Sequence, residues 1–385
     1  MKLLLIVGTA NDIFIYNMVK WLKKSMNVTI DIFEFYPSEQ QNVNKGIYNH
    51  VESVNSNIWI NKIRGIRSFI YPYYASYKLQ QYLKNNKYDI IHCHWIVPPL
   101  VLTRKIKQHC KKLFVTFWGR EYKNFKLLGS WKIYKNNLDR FIEDVDYIIN
   151  SRQFGVLIKK MYPKSNFIFK EGYLGAASLD YLYELMSKTT KSESKNYYKM
   201  PNEKISVMIG YSGKSLHQHM KIIEELIKYP NLRTRIHLIV PMTRGGGCKY
   251  INKVENALLN SGYTYTLLKD SFLTDVEIAK LRYATEITLQ LSTTDGFSRS
   301  IIECLCAKSI VIYGNWLEYE KHLSMSDLFA VPVSSISEAI VQLEYVIDHK
   351  SDYIYQVEQN SINGKKRNKW SDCIKDWVDA YNEVM

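Results

Sequence analysis

Thr294-Asp295-Gly296-Phe297-Ser298-Arg299-Ser300-Ile301-Ile302-Glu303 follows one apolar segment, Ile287–Leu291, and leads through Cys306-Ala307-Lys308-Ser309 into another, Ile310–Tyr313. The spacing predicts a strand ending near Leu291, a glycine-containing loop, a helix opening near Ser298, and a return strand. A parallel βαβ unit is the arrangement this grammar demands. The helix start presents free backbone N–H groups and the positive end of its dipole, a ready site for an anion. Asp295 sits just before that start and Glu303 lies inside the helix. Two readings stand side by side. Asp295 caps the helix and Glu303 is a solvated helical residue, or the two carboxylates bind hydroxyls of a ligand while Arg299 contacts its phosphate.

The same alternation extends in both directions. Leu3–Val7, Val28–Glu34, Tyr88–Cys93, Leu113–Phe117 and Tyr147–Asn150 read as strands, and Ile13–Lys24 as a helix between the first two. After the polar stretch Lys188–Lys204, read as a linker, strands are expected at Ile205–Ile209, Ile236–Val240 and Thr264–Leu268. Helices are expected at His219–Lys228, Asp275–Tyr283 and Ser300–Ala307, with Thr274 and Glu277 forming a capping box. Near-continuous apolar strands separated by helices indicate parallel sheets covered on both faces. The expected architecture is α/β, with two Rossmann-like doubly wound domains over residues 1–190 and 200–365. An amphipathic helix within 366–385 is expected to pack back on the first domain. In such sheets, ligands bind beyond the carboxyl ends of the strands.

Composition narrows the function class. The 385 residues exceed what one core usually organises, and 46% hydrophobic with 23% charged residues excludes a disordered, collagen-like or coiled-coil chain. The net charge of +15 favours polyanionic or phosphorylated partners, unless it is only a solvated lysine-rich surface. The charge is diffuse and no nucleic-acid motif appears, so no specific nucleic acid is expected. No stretch approaches the roughly 20 apolar residues of a bilayer span. The opening Met1–Val7 run is too short for a signal peptide, and polar Asn11-Asp12 follows it. Six scattered cysteines, without CxxC pairs, suit reduced thiols in a cytoplasm.

Several strand ends carry candidate residues. Asp89-Ile90-Ile91-His92-Cys93-His94 ends one strand and Val115-Thr116-Phe117-Trp118-Gly119-Arg120-Glu121 another. Gly8-Thr9-Ala10-Asn11 follows the first strand. Gly210-Tyr211-Ser212-Gly213-Lys214-Ser215 ends like a P-loop, but Met208 stands where that motif needs glycine, which excludes an ATPase. Arg244-Gly245-Gly246-Gly247 forms either a loop that reaches a phosphate or base, or a plain surface turn. Asp144-Val145-Asp146 imitates a metal-binding DxD outside its usual context, and no metal is expected.

Asp295-x7-Glu303 with the following Cys306–Ile312 segment resembles the Glu-x7-Glu signature of retaining GT-B glycosyltransferases of family 4. The resemblance is strongest over residues 265–320 and extends to both halves. Here Asp replaces the first Glu, Ser298 a usual glycine and Arg299 a usual aliphatic residue. The Asp89–His94 segment resembles the family's D-x-x-H-x-H strand end, and Val115–Glu121 its T-x-H-G-x-D segment, with Trp118 in the histidine position. The resemblance implies a nucleoside diphosphate sugar as co-substrate, no other cofactor, and transfer to a glycan or lipid-linked acceptor with retention, of the hexosyltransferase type found in bacterial surface polysaccharide synthesis. It implies catalytic roles for His94, Asp295 and Lys214. It places Gly213, Arg244, Gly296, Phe297, Ser298, Arg299 and Glu303 at the donor, and Gly8, Asn11 and Trp118 toward the acceptor. His94 and Trp118 are alternatively core residues. Two basic clusters, Arg104–Lys112 and Asn61–Arg67, the second followed by the aromatic run Phe69–Tyr77, suit a peripheral position on an anionic membrane. A GT-B nucleotide-sugar epimerase and a non-catalytic polyanion-binding protein are the alternatives.

Overall fold

A computed structural model describes residues 1–37, 45–54, 67–118 and 131–384. The chain divides into two compact units, Met1–Gly175 with Trp370–Met385, and Ala176–Lys369.

The first unit is built on a seven-stranded sheet ordered β3-β2-β1-β4-β5-β6-β7. Its strands are Lys2–Val7, Thr29–Glu34, His50–Ser53, Tyr88–His94, Cys110–Thr116, Tyr147–Asn150 and Ile168–Glu171, numbered in chain order. Every pairing is parallel. Leu3 to Val7 are all buried, as a central strand with helices on both faces requires. Order reverses between β1 and β4, so the crevice of this sheet opens at Gly8 and His94. The helix Ile13–Ser25 starts on an Asp12 cap, whose carboxylate accepts from Phe14 N (2.8 Å) and Ile15 N (3.3 Å). The terminal helix Trp370–Asn382 belongs to this unit and packs on Ile13–Ser25 and β7. Its Trp377 donates from Nε1 to Tyr173 O at 2.9 Å, and its Tyr381 hydroxyl pairs with His92 Nδ1 at 2.5 Å.

The second unit holds a six-stranded sheet, β10-β9-β8-β11-β12-β13, also parallel throughout. These strands are Ile205–Ile209, Ile236–Pro241, Thr264–Leu268, Ile287–Gln290, Ile310–Gly314 and Val331–Val333, β8 to β13. The reversal here falls between β8 and β11.

The first unit ends at Gly175, earlier than residue 190, and the polar stretch 188–204 is not a linker. Helix Ala177–Lys188 and helix Lys191–Tyr197 both belong to the second unit and pack on helix Asp275–Ala284. Thr190 and Glu193 form a complete capping box on the second of these. One of the charges that suggested a solvated segment is consumed inside. Lys195 is buried, bonds Glu286 at 2.5 Å and donates to Lys204 O, while Lys350 reaches the other oxygen of Glu286.

Burial alone would raise the Glu286 carboxyl, but the hydrogen bonds and charges of Lys195 and Lys350 outweigh it and pull the pKa from 4.5 to about 2. A depressed folded pKa gives stability that is complete above the unfolded value and is lost as pH falls toward the folded one. The pair is therefore expected to contribute about 3 kcal/mol at neutral pH. Glu286→Gln should lose that amount in denaturant melts at pH 7 and flatten the acid limb of stability between pH 4.5 and about 2. An unchanged acid limb would show that the network contributes nothing.

Among the described residues, no helix is long and apolar enough to cross a membrane.

Candidate functional site

In the first unit, the site begins with His94 at the end of β4. Its side chain is buried, and neither ring nitrogen has a hydrogen-bond partner among the described residues. Burial lowers its pKa to about 3, so it is neutral at physiological pH. Rings surround it: His92 at 4.1 Å, Trp377 stacked at 5.9 Å, and Trp118 edge-on at 6.3 Å. Trp118 in turn meets Phe14 edge-on at 5.7 Å, so its indole is part of this wall. His92 is fully committed, pairing with Tyr381 through Nδ1 and with Thr116 Oγ1 through Nε2 at 2.9 Å. A buried imidazole with two unused nitrogens is costly, by roughly 1–3 kcal/mol for each lost partner, and such a group marks a place where a ligand can supply the bond.

The loop after β1 lies beside it. A Cβ on Gly8 would stand 2.1 Å from Trp95 Cε3, so glycine here admits the Trp95 indole. Trp95 itself adopts φ 65°, a strained backbone adjoining His94. The loop is tied down by Glu34, which is fully buried and accepts from Ala10 N at 2.7 Å and Ser53 Oγ at 2.5 Å. Asn11 Oδ1 is another buried atom without a partner among the described residues. Gly119-Arg120-Glu121 lie outside the described residues, as do Asn61 to Gly65 and Ile66 of the second basic cluster. Asp146 of the DxD is held by Lys107 and by Leu113 N at 2.6 Å.

In the second unit, three loops meet over the carboxyl ends of β8, β9 and β11. Gly213 N donates to Arg244 O at 2.8 Å, joining the first two. A Cβ on Gly213 would meet the Gly246 backbone at 3.0 Å, which explains glycine at both positions. The Lys214 stem lies across Gly245 and its ammonium end is exposed. No carboxylate pairs with Lys214 among the described residues. The Arg244 guanidinium lies 5.9 Å over the Phe272 ring.

The β8 and β11 loops are cross-linked by His217, whose Nδ1 pairs with Ser292 Oγ and whose Nε2 pairs with Ser212 Oγ, both at 2.9 Å. Burial chiefly lowers its pKa; Asp295 opposes this, Lys214 adds to it, and the result is about 4. Asp295 accepts four bonds. Tyr211 OH reaches Oδ1 at 2.7 Å, while Ser298 N (3.0 Å), Gln290 Nε2 (3.2 Å) and Tyr319 OH converge on Oδ2. The bond from Ser298 N ties Asp295 to the turn that precedes helix Arg299–Cys306, whose N-cap is Ser298, and Oδ1 keeps room for another donor. Phe297, at φ 58°, stacks on His322 at 5.1 Å, and Gly296 is exposed with open space around it.

Two expected donor residues are engaged by other side chains of the second unit. Arg299 Nη1 donates to Asn368 Oδ1 at 3.1 Å. Glu303 is neither solvated nor free: it is buried, with Oε1 bonded by Ser178 Oγ at 2.6 Å and Oε2 by Arg282 Nε at 3.1 Å. Sequence reasoning missed Glu34, Tyr211, Gln290 and Tyr319. Each is a polar side chain at a strand end or connection of a parallel sheet, which is the one signal that points to it.

Residues 2–151 match the family model described as glycosyl transferase 4-like. No curated protein matches the chain. Among solved structures, a glycosyltransferase from Rickettsia africae ESF-5 superposes with TM-score 0.68 at 14% identity, covering 100% of this chain and 98% of that one. Anabaena Alr3699/HepE in complex with UDP and glucose gives TM-score 0.63 at 13% identity, with 100% of both chains covered. WaaG, a glycosyltransferase involved in lipopolysaccharide biosynthesis, gives 0.63 at 10% identity, covering 100% of this chain and 99% of that one. At such identities the superpositions establish the fold. Residues 2–151 are thus similar to the glycosyl transferase 4-like family, and over its whole length the chain has the GT-B fold of these solved glycosyltransferases.

Proposed function

We propose that this protein is a glycosyltransferase that binds a nucleoside diphosphate sugar on its second unit and moves the sugar to a glycan or lipid-linked acceptor with retention. The observation that carries the reading is that Lys214, without a carboxylate partner among the described residues, and an organised carboxylate, Asp295, both flank His217 at the strand-order reversal of the second sheet. A diphosphate suits the ammonium, the glycine-rich loops and the N–H groups at the start of helix Arg299–Cys306. Asp295 Oδ1 takes a sugar hydroxyl. The departing diphosphate is stabilised by these fixed charges, with no resident metal assigned, and it accepts the acceptor's proton in a same-face attack. His94, neutral and without a partner, serves the acceptor or sugar as a hydrogen-bonding group in the first unit, with Asn11 and Trp118 beside it. Arg244 and the exposed Phe272 form a cation-topped ring suited to a base. Anabaena HepE, of the same fold, carries UDP and glucose in its structure.

Thermal melts with UDP, GDP, dTDP, CMP and ADP, and then with their sugars, test the reading. A ligand at a hundredfold its Kd adds about 2.7 kcal/mol of stability. One nucleoside diphosphate should raise Tm clearly above the others, and its sugar should do the same. A panel in which neither nucleotides nor their sugars move Tm, with steeply salt-dependent binding to heparin, would replace the donor site with polyanion binding.

A further inference from the structure

In the second unit, buried side chains join two loops by hydrogen bonds that run in one direction. Gln290, the last residue of β11, and Ser292 are fully buried, and His217 nearly so. The Gln290 amide donates from Nε2 to Asp295 Oδ2 (3.2 Å) and to the Tyr319 hydroxyl (2.9 Å). The Tyr319 hydroxyl gives its own proton to the same Oδ2. The carboxylate fixes the amide, because a turned amide would set Oε1 against an anion. Oε1 therefore faces the other way, toward Ser292 Oγ at 3.4 Å, the longest link.

A serine hydroxyl has one proton to give. Ser292 gives it to Gln290 Oε1, which has no other donor among the described residues, and a buried carbonyl oxygen left without one is costly. Ser292 Oγ then accepts from His217 Nδ1. His217 is neutral at physiological pH, because burial chiefly lowers its pKa to about 4, and a neutral imidazole has one N–H. Nε2 therefore accepts from Ser212 Oγ. Ser212, His217, Ser292, Gln290 and Asp295 each donate to the next. Ser212 adjoins Gly213 and Lys214, so the chain begins at the loop assigned to the diphosphate and ends at the carboxylate assigned to the sugar. At that end Oδ2 takes three donors, from Ser298 N, Gln290 and Tyr319, while Oδ1 has Tyr211 alone.

We propose that Gln290 is a positioning residue for the sugar: it holds Asp295 by Oδ2, presents Oδ1 to a sugar hydroxyl, and through Ser292 sets the proton of His217 beside the diphosphate loop. The ligand half of this inference rests on the donor reading above, and the chain itself on hydrogen-bond directions alone.

Histidine ¹⁵N NMR at pH 7, and calorimetric titration with the nucleoside diphosphate and the nucleotide sugar that the melts select, test it. In wild type, His217 should carry its proton on Nδ1. Gln290→Leu frees the Ser292 proton to turn toward Nδ1, so the His217 proton should move to Nε2, although the two side chains share no hydrogen bond. The same variant should bind the nucleoside diphosphate as wild type does and the nucleotide sugar about tenfold more weakly, the low end of what a hydrogen bond to a charged group is worth. Ser292→Ala cuts the chain and leaves the Gln290–Asp295 bond, so it should also move the proton and keep more of the sugar's affinity. Its backbone stays tied, because Trp316 Nε1 holds Ser292 O at 2.7 Å. Should Gln290→Leu not fold, Ser292→Ala carries the proton measurement, and Tyr319→Phe, which removes one donor from Oδ2, carries the affinity measurement. A wild-type proton on Nε2, or one that stays on Nδ1 in the variants, overturns the chain. Wild-type affinity for the nucleotide sugar, or both ligands weakened alike, overturns the positioning role. Failure of the donor reading looks different: wild type then binds neither nucleotide nor nucleotide sugar, which removes the positioning role while the His217 proton still decides the chain.

Discussion

Glu303→Ala is expected to destabilise the second unit by about 3–5 kcal/mol, whatever it does to ligand binding. Arg282 is buried, and its Nε hydrogen bond goes to Glu303 Oε2. Its Nη1 reaches only the sulfur of Met208, a weak acceptor. Removing the carboxylate leaves a guanidinium in the core without its counter-charge, and Ser178 Oγ without its acceptor. Replacing both partners by apolar residues avoids that orphaned charge, so Arg282→Met with Glu303→Leu should recover most of the loss. Denaturant melts of the two singles and the double measure the coupling. A Glu303→Ala protein as stable as wild type would show that the pair is not a brace. The double variant also separates two roles. If it melts like wild type and still responds to the nucleotide, Glu303 braces the helix that faces the diphosphate. If it melts like wild type and ignores the nucleotide, the carboxylate also touches the donor.

Glu303 illustrates where sequence reading stops. Its position in the helix and its spacing from Asp295 are legible, but its partners are Ser178 and Arg282, distant in the chain and brought near only by packing. The central strands were equally legible, because a strand buried on both faces is an unbroken apolar run. The edge strands His50–Ser53, Ile168–Glu171 and Val331–Val333 escaped, because they are short and the first two are half-exposed, which removes that run. Helix Lys191–Tyr197 escaped for the opposite reason. Its sequence looks solvated, yet Lys195 is buried against Glu286. The Asp295 loop was located by its glycine and helix-start pattern, while Tyr211 and Tyr319, which orient the carboxylate, carry no local pattern.

Lys214→Ala is expected to lower turnover by about 10²–10³, with a smaller effect on donor affinity, because a fixed charge aimed at a leaving group acts most where charge develops. The ammonium is placed for this by construction. Its stem lies over Gly245, so the Gly213–Arg244 bond that joins the two loops also directs the side chain. A second readout needs no substrate. Burial is the largest cause of the low His217 pKa, Asp295 raises it and Lys214 lowers it further. Lys214→Ala should therefore shift the His217 titration upward from about 4, and Asp295→Asn should shift it downward, both visible by NMR. The two variants move His217 in opposite directions because its ring lies between opposite charges. A ligand with a diphosphate and a sugar hydroxyl meets the same pair: the phosphate answers the ammonium and the hydroxyl answers Asp295 Oδ1. Lys214→Ala that leaves both turnover and the His217 titration unchanged would remove the ammonium from the site. An upward shift of His217 with full turnover would leave the ammonium in place and assign the leaving group's charge to the backbone N–H groups of the helix start.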